Sequence, residues 1–309
     1  MAVLGVGAAA GIGSGAAAAA DSGSDEVFSN HNSGNGGNNQ TRPWNQHVDA
    51  QLHDLRNARH VSSKTVKTGN LFNESRDAEV VVWRDGSGIY HADSRTEELV
   101  RTTNFREAVQ TAIDSLDDDR TEKQKVVVAC SGTLGPHEWD GDVLAIEVPS
   151  YITLDFRGTI YVEDEGEALI RPLRAKQQEE IEIPRVRIEG NFRSAIWFKG
   201  VRNVRFGHID IRTAEEDVIS GTGGGVRIDA GRDVLEEAWE SRDIHVDSCY
   251  IEGTMGHAFE TYNVRRLSLG RVIANDIGNT EAGAGCGVLL NSTYDSTVGA
   301  VIGKDIDVG

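Results

Sequence analysis

Three short blocks, Gly225-Val226-Arg227-Ile228-Asp229, Gly256-His257-Ala258-Phe259-Glu260 and Gly287-Val288-Leu289-Leu290-Asn291, carry one plan at two successive intervals of 31 residues. A fixed period of this length marks a chain that stacks like units, each unable to bury its apolar face alone. Shorter steps of 30, 28 and 24 lead back to Ala195-Ile196-Trp197-Phe198-Lys199, Ala168-Leu169-Ile170-Arg171 and Leu144-Ala145-Ile146-Glu147. Within the units a second strand follows, as in Tyr151 to Leu154, Val204 to Phe206, Ile244 to Val246, Leu267 to Leu269 and Val298 to Val301, and often a third, as in Ile209 to Ile211 and Cys249 to Ile251. Three short strands per unit, separated by Gly, Asn and Asp, are what a right-handed parallel β-helix requires, because each strand pairs with its counterpart one coil away. The expected class is therefore all-β.

Alternation of side chains sorts the repeats into columns. Ile146, Ile170, Phe198, Ile228, Phe259 and Leu290 are expected to form one inward stack, with Ile196, Val226, His257 and Val288 two residues earlier pointing the same way. The outward columns are then Glu147, Arg171, Lys199, Asp229, Glu260 and Asn291, beside Trp197, Arg227, Ala258 and Leu289.

Ahead of the repeats, Asn104 precedes Glu107 by three residues, a capping-box spacing, and Phe105, Val109, Ala112, Ile113 and Leu116 share one helical face. A single amphipathic helix before many strands suggests a cap over the open end of the stack. Residues 43–103 form an extension in which Glu79 to Trp83 reads as a strand, followed by a turn at Asp85 to Gly88 and a second strand through Tyr90. Residues 1–20 are small and apolar and read as an export signal, although no Lys or Arg occurs before Arg42. Residues 21–42 read as a Gly/Asn/Ser-rich linker. The repeat domain then spans 104–309, and its stop in mid-coil suggests a truncated unit.

The 31 Lys and Arg stand against 49 acidic residues, for a net charge of −18, and only seven of the cations are Lys. Such an acidic shell argues against nucleic acid as partner. It resembles proteins of halophilic archaea, whose surface carboxylates are screened by molar salt. The three cysteines, Cys130, Cys249 and Cys286, are too scattered for a disulfide framework or a zinc site.

The cap helix, then Val148-Pro149-Ser150-Tyr151-Ile152-Thr153-Leu154 leading to Gly158-Thr159-Ile160, then Gly-led coils, resembles the pectin-lyase-like superfamily of polysaccharide lyases and glycoside hydrolases. The resemblance covers about Asn104 to Gly309. It implies a long shallow groove that grips a polysaccharide, often an acidic one, near its central coils, while the N-terminal stretch by itself leads to the expectation of a secreted or cell-surface protein with no membrane span in the mature chain. Gly256-His257 is similar to a pair found in polygalacturonases, but their paired Asp residues are missing and Arg174-Ala175-Lys176 comes before the pair instead of after it.

The candidate catalytic group is Asp229 and Glu260, expected on adjacent coils, with Lys199 and Arg227 as bordering cations. Two close carboxylates can divide acid and base work in a glycosidase. In a calcium-dependent lyase, the same Asp229 and Glu260 would hold Ca²⁺ and a cation would serve as base. Trp197, Tyr262, Asn291 and Asp295 are the candidate substrate-binding residues. A non-catalytic β-helix module that binds glycan or protein, or a sugar epimerase, would use the same surface, and a plain ladder of paired charges is the simplest alternative.

Overall fold

A computed structural model describes residues 77–135, 143–163, 169–213, 224–230, 240–278 and 285–306. The expected export signal, the linker and the extension as far as residue 76 lie outside the described residues. The described part is built of strands with one helix, as an all-β chain should be.

It opens with β1 (Val80–Arg84), β2 (Tyr90–Ser94) and β3 (Glu98–Thr102), which pair antiparallel in sequence order. β3 has no counterpart in the sequence reading, because Glu98 and Arg101 break its apolar pattern. The β1–β2 turn is built by Asp85, whose Oδ1 accepts hydrogen bonds from the Ser87 and Ile89 amides. The helix follows as α1 (Phe105–Asp114), and Asn104 Oδ1 caps it by accepting from the Glu107 amide at 3.1 Å. Phe105, Val109, Ala112, Ile113 and Leu116 are all buried, as the helical spacing predicts.

The remaining strands are β4 (Gln124–Val128), β5 (Gly132–Leu134), β6 (Val143–Glu147), β7 (Ile152–Phe156), β8 (Thr159–Val162) and β9 (Leu169–Lys176). Then come β10 (Glu179–Gly190), β11 (Ser194–Lys199), β12 (Arg202–Arg212), β13 (Gly224–Asp229), β14 (Ser241–Glu252), β15 (Phe259–Ile277), β16 (Val288–Tyr294) and β17 (Thr297–Ile306). They pair in parallel along three ladders. The first runs through Val126, Leu154 and, one pair over, Ile152, Ile181, Val204, Ile244 and Leu267. The second runs through Ile160, Ile188, Ile211, Ile251 and Ala274. The third runs through Ile146, Leu173, Ile196, Val226, Phe259 and Val288. Nearly all of these side chains are fully buried and belong to one apolar core. β1 joins β4 in parallel, so the hairpin region extends the first ladder and is not a separate extension.

The corners between ladders have their own chemistry. Tyr151, Glu180, Asn203, Asp243, Arg266 and Asp295 occupy equivalent positions on successive rungs, and all have φ between 51° and 59°. Left-handed backbone costs an L-residue about 1–2 kcal/mol, least for Asn and Asp. Contacts along the column help to hold it: Asn203 Nδ2 donates to Glu180 Oε1 at 2.8 Å, and Arg266 donates twice to Asp243 at 2.5 and 2.6 Å. Where the chain bends from the first ladder to the second, Gly207 lies so close to the previous rung that a Cβ would sit 2.2 Å from the Pro184 carbonyl oxygen.

α1 covers an open strand edge with side chains. β6 pairs with β9 along one edge only among the described residues. On its other edge, Arg106 Nε donates to the Ala145 carbonyl at 2.7 Å, Gln110 Oε1 accepts from the Glu147 amide at 2.9 Å and Gln110 Nε2 donates to the Glu147 carbonyl at 3.4 Å. The amide of Gln110 thus takes the place of a missing strand. At the opposite end, Leu290, Val298, Val301 and Ile302 remain 37–47% exposed.

The pairing corrects the expected columns. Phe259 lies opposite Val226, and Thr261 lies opposite Ile228, so β15 is shifted by two residues from the Gly-led alignment. The equivalents of Gly225 and Gly287 are Ala258 and not Gly256, with intervals of 33 and 29 residues. Ile170 likewise lies opposite Leu144, while Phe198 faces Ala175. A two-residue shift preserves the alternation of faces, and so Ile146, Ile170, Phe198, Ile228 and Phe259 are all buried as anticipated. Leu290 keeps that register but is 40% exposed on the last rung. His257 leaves the inward column, and Ala258 is buried instead of outward.

Candidate functional site

The outer face of the third ladder carries two columns. One is Glu147, Arg174, Trp197, Arg227, Glu260 and Leu289, and the other is Lys176, Lys199, Asp229, Tyr262 and Asn291. Glu260 therefore faces Arg227, and Asp229 faces Tyr262, where the sequence reading had set Asp229 opposite Glu260. The correction joins the two carboxylates through a cation. Arg227 Nε donates to Asp229 Oδ2 at 2.9 Å and Nη1 reaches Glu260 Oε1 at 3.5 Å.

The rest of the network supports this bridge. Trp197 Nε1 donates to Asp229 Oδ2 at 3.0 Å, and the Tyr262 hydroxyl donates to Glu260 Oε2 at 2.8 Å. Asp229 and Glu260 are only 5% and 7% exposed. Burial opposes the charge of Arg227, but its hydrogen bond to Asp229 and its attraction to Glu260 outweigh that and raise its pKa above the ordinary guanidinium value. Such a group does not give up its proton, which removes Arg227 as a base.

Both aromatic rings carry a guanidinium. The Arg171 head lies 3.7 Å from the centroid of Trp197, and the Arg227 head lies 4.8 Å from that of Tyr262. Arg171 reaches this place through a bulge: β9 has an extra residue against β6 between the pairs Leu144–Ile170 and Ile146–Leu173. Pro172 falls in that bulge, where its missing N–H does no harm to the ladder. In the sequence, Arg171 falls in an outward column with no role attached, Arg174 enters only through the Arg174-Ala175-Lys176 comparison, and Arg193 carries no expectation. Their signal was the Arg-rich, Lys-poor cation content, read only as a property of the whole surface.

Lys199 stands between Lys176 and Asp229 along its column. Asn291 is exposed one rung beyond Tyr262, and Asp295 sits at the left-handed corner near Arg266, away from the carboxylate pair. Calcium would need six to eight oxygen ligands. Asp229 Oδ2 and both oxygens of Glu260 already accept from nitrogen or hydroxyl donors, and a guanidinium stands between the carboxylates. The residues do not fit calcium, and among the described residues no group of three or more His, Cys, Asp or Glu side chains is arranged to hold a metal.

No helix among the described residues is long and apolar enough to cross a membrane. No family model, curated protein or solved structure matches this chain.

Proposed function

We propose that the chain is a right-handed parallel β-helix of the pectin-lyase-like kind, exported, and that the outer face of its third ladder engages an acidic polysaccharide. The observation that carries this reading is the laying of the Arg171 and Arg227 heads over Trp197 and Tyr262, beside Arg174, Lys176 and Lys199, in a chain of net charge −18. A local group of cations on an acidic chain is suited to an anionic ligand. The parallel ladders add a linear face, with rungs about 4.8 Å apart, along which a polymer can lie.

For the chemistry, elimination suits the site better than hydrolysis. Asp229 and Glu260 accept hydrogen bonds from Arg227, Trp197 and Tyr262, which makes them anchors and leaves neither of the two arranged to protonate a leaving oxygen. In a lyase, guanidinium groups would neutralise the uronate carboxylate and so acidify the neighbouring C–H; Lys199 would take that proton, the C=C bond would form as the β C–O bond breaks, and the departing oxygen would be protonated by water or by the Lys199 ammonium. The same anchoring also favours a second reading, a glycan-binding module without turnover.

Uronate polymers should be screened in molar salt, following both retention on the immobilised polymer and the absorbance of unsaturated products. Binding with product absorbance that is lost in Lys199→Met supports the lyase. Binding with no product in any polymer favours the module, and absence of binding to every uronate polymer rejects both.

A further inference from the structure

We infer that Arg171, Arg174, Arg193 and Arg227 form a subsite for a sulfate ester on the bound polymer. The inference rests on the polysaccharide reading for the polymer, and on the arginines alone for the sulfate.

Three of the four are ordered by the third ladder. Arg174 and Arg227 flank Trp197 on successive rungs, and the Arg171 head lies on the Trp197 ring between them. Arg193 adjoins them through its backbone: its amide donates to the Ile170 carbonyl at 3.0 Å, and its carbonyl accepts from the Gly224 amide at 2.9 Å. Burial, followed by repulsion from Arg193 and Arg227, pulls the Arg171 pKa down to about 10, with Asp229 opposing only in part. The nearby acids offset part of this field. Asp229 and Glu260 are bridged by Arg227, and Arg174 pairs through Nη2 with Glu147. The Nε atoms of Arg171 and Arg174 are buried with no hydrogen-bond partner. Buried guanidinium donors left in this condition are costly unless an acceptor arrives.

The shape of the acceptor follows from the donors. A carboxylate offers two oxygens in one plane, which a single guanidinium edge can satisfy. A sulfate ester offers three peripheral oxygens that diverge, and these can take donors from different rungs at once. A phosphate monoester has the same shape but carries close to two charges, which the surrounding −18 shell repels more strongly.

The test uses the full chain in two parts. First, chloride is replaced by inorganic sulfate at constant ionic strength, and melting is compared for wild type, Arg171→Met and Arg193→Met. Sulfate stabilises proteins generally by exclusion from their surface, so the readout is the difference between wild type and variant. A larger gain in wild type supports the site, and equal gains overturn it. Second, oligosaccharides matched in length are compared as sulfated, desulfated and phosphorylated forms. Wild type should prefer the sulfated form roughly tenfold, and Arg171→Met should reduce that preference to within about twofold. Arg171→Lys keeps the charge but loses the planar fork. It should fold normally and still lose most of the preference. No preference in wild type, a preference untouched by either Arg171 variant, or stronger binding of the phosphorylated form would each overturn the inference. Uronate binding without a sulfate preference would overturn it while leaving the polysaccharide reading intact.

Discussion

Arg227 connects more of the site than any other side chain, since it bridges two buried carboxylates and covers Tyr262. Removing it leaves Asp229 and Glu260 buried with no guanidinium between them, which is far costlier than losing a surface ion pair. Arg227→Met should lower unfolding free energy by about 3 kcal/mol in denaturant titrations, toward the small end of the buried range because the guanidinium itself is partly exposed. Arg227→Lys should recover little, since one ammonium cannot span both carboxylates. A loss under about 1 kcal/mol for Arg227→Met would mean that water, not Arg227, solvates the pair. Phe259 is fully buried between Val226 and Val288, so Phe259→Ala should cost about 3–5 kcal/mol by opening a cavity between rungs.

At the scale of elements, a stack of strands needs closed ends and tight corners. α1 closes one edge through Gln110, whose amide meets both the amide and the carbonyl of Glu147. Gln110→Leu keeps the volume and removes both hydrogen bonds, and should cost about 1–3 kcal/mol, with faster hydrogen exchange at Glu147 as the local readout. The corners depend on residues that tolerate positive φ. Asn203→Val should cost about 1–2 kcal/mol while Asn203→Gly is nearly neutral, a contrast that a packing role for Asn203 would not produce. At the next corner, hydrogen bonds from Arg266 hold the Asp243 pKa below the ordinary carboxylate value. A depressed carboxylate contributes stability above its ordinary pKa, and that contribution is lost as pH falls through the lowered value. The melting temperatures of wild type and Asp243→Asn should therefore differ slightly near neutral pH and converge in acid below about pH 3. A constant difference across that range would show that Arg266 does not distinguish the ionised form.

Over the whole molecule, a core of stacked apolar columns carries Arg174, Lys176, Lys199 and Arg227 on the outer face of its third ladder, in a chain with 49 acidic residues against 31 Lys and Arg. Like charges at this density repel over about 10 Å at 0.1 M salt and over much less at 1 M. Dilution below about half-molar salt should therefore lower the melting temperature. Identical melting in 0.1 M and 2 M sodium chloride would rule out a salt-adapted surface. The same long-range field should make the arginine face selective, since it admits an anion only where several guanidinium groups outweigh the shell.

The periodicity of apolar residues in the sequence was enough to identify the cap helix with its Asn104 start, the inward faces of Phe198, Ile228 and Phe259, and most of the strands, though not β3. These are local properties: a period of two sets the face, and a period near 3.6 sets the helix. The pairing of Asp229 with Tyr262 and of Glu260 with Arg227 was beyond its reach. A slip of two residues preserves the alternation of faces, so the pattern cannot tell one register from another, and the Gly-led alignment chose the wrong one at Gly256. The cation cluster was hidden for a related reason. Arg171 and Arg174 share β9, Arg193 lies in the turn before β11 and Arg227 lies on β13, and only the bulge at Pro172 together with the parallel register brings their charges onto one face.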